Sequence, residues 1–146
     1  ILVAWALYAL YKEHPYTLPS TMFRITHAVI MGTAVFALVA VLKLKETELI
    51  LSQVETFNTI WLIGLFFFGV HLLFLGRILN REVRFIPAFL LVAGVMYMVD
   101  TAAHFLLVNY EHYASTFLAM VAVPSALGEM ALAIWLLRRG FKETKA

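Results

Sequence analysis

The chain has 146 residues, of which 63% are hydrophobic and 14% are charged, and its formal net charge is +2. A soluble domain is about 45–50% apolar and about 25% charged, so one small soluble domain could not bury this much apolar surface. The sequence contains no cysteine, which excludes disulfides, thiol catalysis, iron–sulfur clusters and zinc–thiolate sites. Composition therefore predicts an integral membrane protein.

Four apolar runs have the length of a membrane-spanning helix, which needs roughly 20 mainly apolar residues to cross a hydrocarbon core of about 30 Å. A fifth run at the start of the sequence is about half as long, so we interpret it as the end of a further span that begins before Ile1. There is no internal repeat or long linker, which favours one domain over residues 1–146. The predicted fold is an all-α polytopic transmembrane helical bundle with spans at about 1–11, 21–42, 57–79, 86–108 and 115–137.

Residues between the apolar runs predict where the helices begin and end. Ser20 is expected to cap the helix that starts at 21, and Pro87 falls in the first turn of a later span, where its missing N–H costs little. Gly140 is expected to follow the last helix. The stretch from Glu46 to Phe57 has apolar residues at helical spacing. This pattern favours a segment that lies in the membrane interface or docks a partner protein.

Basic residues are distributed unequally between the two ends of the predicted bundle. Of the 11 Lys and Arg residues, all but Lys43 and Lys45 belong to the end that holds the C-terminus. Short cytoplasmic loops are enriched in basic residues, so we expect a cytoplasmic C-terminus in a prokaryotic plasma membrane. The net charge is thus explained by topology and gives no indication of nucleic-acid binding. The basic rim expected to contact lipid headgroups consists of Arg77, Arg81, Arg84, Arg138 and Arg139.

Several segments share a recognisable spacing of glycine, aromatic and polar residues. They are Phe23-Arg24, Phe68 to Gly76, Ile86-Pro87, Ala93 to Asp100, Gly128-Glu129, Ile134 to Leu137 and Gly140. Together they resemble a prokaryotic membrane family catalogued only as a domain of unknown function (number 4386). The sequence departs from that family after Pro87, where Ala88 and Leu91 stand in place of a basic residue and a glycine. The resemblance implies about six spans and brings no known activity with it.

The acids and imidazoles inside the predicted spans are His27, His71, Asp100, His104 and Glu129. A charge near the centre of a bilayer costs about 2.5–3.5 kcal/mol, so such residues normally face the protein interior and are paired. At roughly 1.5 Å per helical residue, His27, His71 and Glu129 share one depth, and Asp100 and His104 form a second site further out. The matched depth makes His71 the expected partner of Glu129. The i, i+4 spacing predicts a hydrogen bond between Asp100 and His104.

The last span carries a stripe of small side chains on the face that includes Glu129. Ala122, Ser125 and Ala133 share this face, and small residues allow the backbones of transmembrane helices to approach closely. Glu129 is therefore expected to be buried against a neighbouring helix. Pro124 removes one backbone hydrogen bond and is expected to kink the helix near this position.

The sequence carries no catalytic motif, since the clustered histidines and carboxylates of a metal hydrolase are absent, and we predict no metal site. The favoured function is a non-enzymatic accessory or scaffolding subunit, in contact with lipid and with other membrane-protein subunits. The alternative is a transporter or proton-conducting protein that uses Glu129, His71 and Asp100. A third hypothesis is a haem b-binding subunit with His27 and His71 as iron ligands, and no other cofactor is expected.

Cysteine accessibility labelling tests the predicted orientation, because the chain has no native cysteine. We expect Glu111→Cys to react with a membrane-impermeant reagent added to intact cells. Lys145→Cys should react only after the cytoplasmic face is exposed, since basic residues are retained on that side. Labelling of residue 111 only from the cytoplasmic side would overturn the orientation.

Overall fold

The computed structural model describes the backbone of residues 1–143 and the side chains of residues 1–140; Lys145, used in the labelling prediction, lies outside the described residues. The described chain folds into helices α1 (Leu2–Tyr11), α2 (Thr17–Val41), α3 (Thr47–Leu79), α4 (Phe85–Leu106) and α5 (Tyr110–Glu143). Helices α2 to α5 are long and apolar enough to cross a membrane. The predicted all-α transmembrane bundle with four complete spans is therefore confirmed, and α1 is the short apolar helix expected at its start.

Two predicted boundaries near α2 and α3 are wrong. Helix α2 begins at Thr17, so Ser20 lies inside its first turn, where its hydroxyl contacts a histidine of α3 instead of capping the helix. Helix α3 begins at Thr47 and runs for 33 residues without a break. The stretch from Glu46 to Phe57 therefore forms the first turns of a spanning helix and not a separate interfacial segment.

The boundary predictions for α4 and α5 have mixed outcomes. Pro87 lies in the first turn of α4, as predicted. Gly140 does not end α5, because the helix continues to Glu143. Pro124 also lies inside this continuous helix. It removes one backbone hydrogen bond, but the helix does not end there.

Helix α3 occupies the centre of the bundle, with α2 packed on one side and α4 on the other, and α5 packs against α4. The densest apolar core lies at the end of the bundle where α3 ends and α4 begins, which we call the basic end. Leu72, Leu75, Leu79 and Leu90 are at most 1% exposed there. Tyr11 of α1 joins the same cluster, so the short first helix closes the bundle at this end.

Two glycines allow α3 and α4 to approach each other closely. A Cβ atom added at Gly69 would lie 2.6 Å from the carbonyl oxygen of Gly94, and one added at Gly94 would lie 2.7 Å from that of Gly69. Both distances are too short for real atoms, and the obstacle in each case is backbone, which cannot move aside as a flexible side chain does. Close backbone approach at small residues is the usual way for helices to pack in lipid.

The antiparallel register leaves one end of α3 beyond the reach of α4. The Thr101 hydroxyl donates to the carbonyl of Leu62 at 3.1 Å, so the end of α4 at Leu106 lies opposite residue 57 of α3. About ten residues of α3, or about 15 Å at the helical rise, extend past α4 and have α2 as their neighbour. We call residues 36–42, which are the end of α2 and its C-cap, and residues 47–56 of α3 the α2–α3 extension. It exposes apolar side chains such as Phe36 and Leu51, which are 75% and 56% accessible.

The glycine contact predicts a position-specific loss of stability. Gly69→Ala should destabilise the bundle by about 1–3 kcal/mol, because the added methyl group forces α3 and α4 apart. Gly32→Ala is the matched control, since a Cβ at Gly32 meets nothing within 4 Å. Thermal unfolding of both variants in the same detergent measures the difference. Equal stability of the two would contradict the close contact between α3 and α4.

Candidate functional site in an intramembrane polar layer

Two histidines join α2 and α3 by reciprocal hydrogen bonds. His27 of α2 places Nδ1 2.9 Å from the carbonyl oxygen of Gly64 in α3. His71 of α3 places Nδ1 2.9 Å from the carbonyl oxygen of Ser20 in α2, with the Ser20 hydroxyl oxygen at 3.0 Å. A carbonyl oxygen only accepts, so Nδ1 carries the proton in both rings. In each helix, the donor and the acceptor are two helical turns apart, so the two bonds fix the antiparallel register of α2 and α3.

A chain of contacts crosses the layer from α2 to α5 and takes one residue from each span. The guanidinium of Arg24 in α2 lies over the ring of Phe68 in α3, 4.7 Å from its centroid. Phe68 meets the ring of Tyr97 in α4 edge to face, with centroids 5.5 Å apart. The Tyr97 hydroxyl donates to Oε1 of Glu129 in α5 at 3.3 Å. The layer therefore holds one basic and one acidic side chain, Arg24 and Glu129, with the rings of Phe68 and Tyr97 in the chain of contacts between them.

The structure differs from the predicted partner of Glu129. His71 is bonded to Ser20, and Glu129 accepts its hydrogen bond from Tyr97. Sequence reasoning placed His71 and Glu129 at the same depth, but depth alone does not determine which helix faces are adjacent. The residue not predicted to belong to the layer was Arg24, which entered the sequence analysis as a basic residue of the cytoplasmic end and as part of the family pattern. Its guanidinium packs on Phe68 of α3, a contact between helices that its position in the sequence does not show.

The face of α5 that packs on α4 also differs from the predicted stripe. Ala122 and Ala133 are exposed, whereas Ser125 and Gly128 are buried. A Cβ at Gly128 would lie 3.1 Å from the Cβ of Phe89 in α4, so this glycine allows the close approach. Glu129 is half-buried beside that contact, at the edge of the packed face and within reach of the Tyr97 hydroxyl.

Asp100 and His104 are brought together around a tyrosine at the opposite end of α4. The hydroxyl of Tyr110 donates to Oδ1 of Asp100 at 2.7 Å, and the His104 ring packs edge to face on Tyr110 with centroids 4.6 Å apart. The predicted direct Asp100–His104 hydrogen bond is thus replaced by contacts that both residues make with Tyr110. This cluster connects α4 to the first residue of α5.

At the basic end, a charged contact joins α1, the α3–α4 turn and α5. Arg139 pairs with the carboxylate of Glu82, and the Tyr11 hydroxyl donates to Oε2 of Glu82 and accepts from Arg139, both at 3.2 Å. Arg139 was predicted to belong to the headgroup rim, but the structure places it in this contact. The side chains of the other four rim residues are exposed: Arg77, Arg81, Arg84 and Arg138.

The two histidines proposed as haem ligands share one aromatic neighbour. The rings of His27 and His71 both pack on Phe68, with centroids 4.9 and 5.8 Å away. Each imidazole also uses Nδ1 in a hydrogen bond to the backbone of the neighbouring helix. Among the described residues, no three His, Cys, Asp or Glu side chains converge as metal ligands would.

These features define a multi-pass membrane protein whose four spans are joined by an internal polar layer. Residues 1–140 match the family described as Domain of unknown function (DUF4386), and the chain belongs to this family. The family resemblance of the sequence is therefore confirmed. A search of curated proteins and a search of solved structures found no match.

The contact between Tyr97 and Glu129 predicts the effect of removing a single hydroxyl group. Tyr97→Phe keeps the ring on Phe68 but leaves the Glu129 carboxylate without its donor, which should cost about 1–3 kcal/mol of stability. Tyr113→Phe is the control, because Tyr113 is 52% exposed and loses the same atom at the surface. Thermal unfolding in detergent compares the two. A Tyr97→Phe protein as stable as the control would show that the hydroxyl does not stabilise the layer.

Proposed function

We propose that this protein is a non-enzymatic accessory or scaffolding subunit of a membrane complex in the prokaryotic plasma membrane, with its C-terminus in the cytoplasm. The observation that carries the proposal is the internal pairing of the polar layer. Each of its histidines bonds to the backbone of a neighbouring helix, and Glu129 is bonded to Tyr97. Within the described residues, no fully buried side-chain nitrogen or oxygen lacks a hydrogen-bond partner. This arrangement suits packing, since it leaves no buried donor or acceptor for a substrate.

The α2–α3 extension supports a role in assembly with another membrane protein. It reaches about 15 Å beyond α4 and exposes Phe36, Leu42 and Leu51, with Lys43 in the turn after α2 and Glu48 in the first turn of α3. A surface that alternates apolar and charged side chains near the membrane boundary is suited to a partner subunit that is itself partly in lipid. Four exposed arginines lie at the basic end of the bundle, opposite the α2–α3 extension. They support the placement of the basic end in the cytoplasm.

The alternative, a proton-conducting protein, is favoured by a different observation. The Tyr97 hydroxyl donates to Glu129 inside the spans, so two titratable groups of α4 and α5 are in direct contact. An ionisable residue inside a membrane span is a candidate for proton transfer. Asp100, which the alternative also requires, is bonded to Tyr110 in the separate cluster at the other end of α4.

Glu129→Gln separates the two functions, because glutamine keeps a hydrogen-bond acceptor for Tyr97 but cannot carry a proton. The purified wild-type and variant proteins are reconstituted in vesicles that contain a pH-sensitive dye. In parallel, a photo-crosslinking residue at position 51 reports contact with a partner in cells, and one at position 123, which is 60% exposed on the middle of α5, is the control. For a scaffolding subunit, we expect proton flux equal to that of empty vesicles in both proteins. The crosslink to one membrane protein from position 51 should be retained in the variant.

Two outcomes would contradict the proposal. Proton flux in wild-type vesicles that Glu129→Gln abolishes would establish the conducting function. Crosslinks to lipid alone from both positions would remove the α2–α3 extension as a partner surface. Both Glu129→Gln and Glu129→Leu remove the acid, but only Glu129→Leu leaves the Tyr97 hydroxyl without its acceptor. Glu129→Leu should therefore be less stable than Glu129→Gln by about 1–3 kcal/mol.

A further inference from the structure

A groove at the basic end lies between α3, α4 and the turn that connects α1 to α2. Its volume is about 290 Å³. The residues that line it are Tyr16, Val70, Leu73, Phe74, Arg77 and Leu91. Four of the six are aliphatic or phenyl side chains, and the two polar ones, Tyr16 and Arg77, stand where the helices approach the membrane surface. The groove is therefore apolar along its length and polar at one end.

Arg77 gives the polar end of the groove a positive charge that is not neutralised nearby. It lies one helical turn beyond Leu73 and Phe74 on the same face of α3, and its side chain is exposed. In the part of the chain that the structure describes, it has no ion pair. The one acid of the α3–α4 turn is Glu82, and its carboxylate is already paired with Arg139. Arg77 therefore remains available to an anion.

Tyr16 supplies a second polar group on the other side of the opening. Its ring packs on Phe74 with centroids 5.8 Å apart, which holds the side chain against the groove while 40% of it stays exposed. A phenol can donate one hydrogen bond, and a guanidinium can donate two in parallel to the oxygens of one phosphate group. Together they match a phosphate at the level of the lipid headgroups.

We propose that this groove binds one phospholipid with an anionic headgroup. Its phosphate contacts Arg77 and the Tyr16 hydroxyl, and one acyl chain lies along Val70, Leu73 and Leu91. Basic pockets between transmembrane helices are recurrent sites for anionic lipid headgroups, and here the apolar wall continues directly below the charge. The proposal concerns one defined groove, and so differs from general attraction of a basic rim to a charged membrane surface. It does not depend on the proposed scaffolding function.

Native mass spectrometry of the whole protein in a zwitterionic detergent measures the binding directly. Phosphatidylglycerol and phosphatidylcholine are titrated separately, and the ratio of their dissociation constants is compared among variants. Arg77→Gln should lower the affinity for phosphatidylglycerol about fivefold, the effect of one basic residue near a charged lipid surface, with a smaller loss for phosphatidylcholine, because its choline cation offsets the charge of its phosphate. Tyr16→Phe should produce a smaller loss with the same selectivity. Arg138→Gln is the matched control, because it removes an equally exposed charge at the same end outside the groove.

The outcomes distinguish a lipid site from simpler explanations. Equal losses in Arg77→Gln and Arg138→Gln would overturn the proposal in favour of diffuse attraction. Displacement of the lipid by an equal concentration of glycerol phosphate would also overturn it, because such a site would recognise a phosphate without chains. Unfolding of each variant is followed in parallel without added lipid. If Arg77→Gln does not fold, Tyr16→Phe decides: a selective loss of phosphatidylglycerol supports the groove, and unchanged affinity refutes it.

Discussion

The packing of the four spans depends on one constraint: an arginine and a glutamate inside an apolar layer must each have a close partner. Each charge alone is costly at this depth, by about 2.5–3.5 kcal/mol on insertion scales. The cost decreases when opposite charges share the layer and each has a close partner. Arg24 has the face of Phe68, and Glu129 has the Tyr97 hydroxyl. Since these residues come from four different helices, satisfying the two charges requires all four spans to be in place.

The contacts on either side of this layer determine the order in which the helices pack. The reciprocal bonds from His27 and His71 fix α2 against α3. The contact of Gly69 with Gly94 then brings α3 to its closest approach to α4. In a membrane, the lipid is as apolar as the side chains, so burying apolar side chains between helices gains little free energy. Hydrogen bonds and close contacts at small residues therefore contribute more to helix packing. The polar residues therefore specify the arrangement, while the many apolar contacts add stability without selecting one register.

The sequence predicted the elements well and their contacts poorly, for a physical reason. Hydrophobic length identifies spans because it reflects the thickness of the bilayer, and four of the predicted spans are present as α2 to α5. The polar residues were also correctly identified as lying inside the spans. Partners such as Ser20 for His71 were not predicted, because a helical wheel has no information about which face meets which neighbour. On α5, the predicted stripe placed Ser125 and Glu129 correctly towards α4, but it included the exposed Ala122 and Ala133 and left out Gly128, which is buried in the contact.

Arg24 and Glu129 lie at the two ends of the chain of contacts that crosses the polar layer. Aromatic rings from α3 and α4 stand between them in this chain. An aromatic ring accepts a cation on its face but offers no site that can bind and release a proton. The path across the layer is therefore hydrogen-bonded only from Tyr97 to Glu129. The ring of Phe68 therefore separates the hydrogen-bonded pair of Tyr97 and Glu129 from Arg24 and from the two histidines that pack on the same ring.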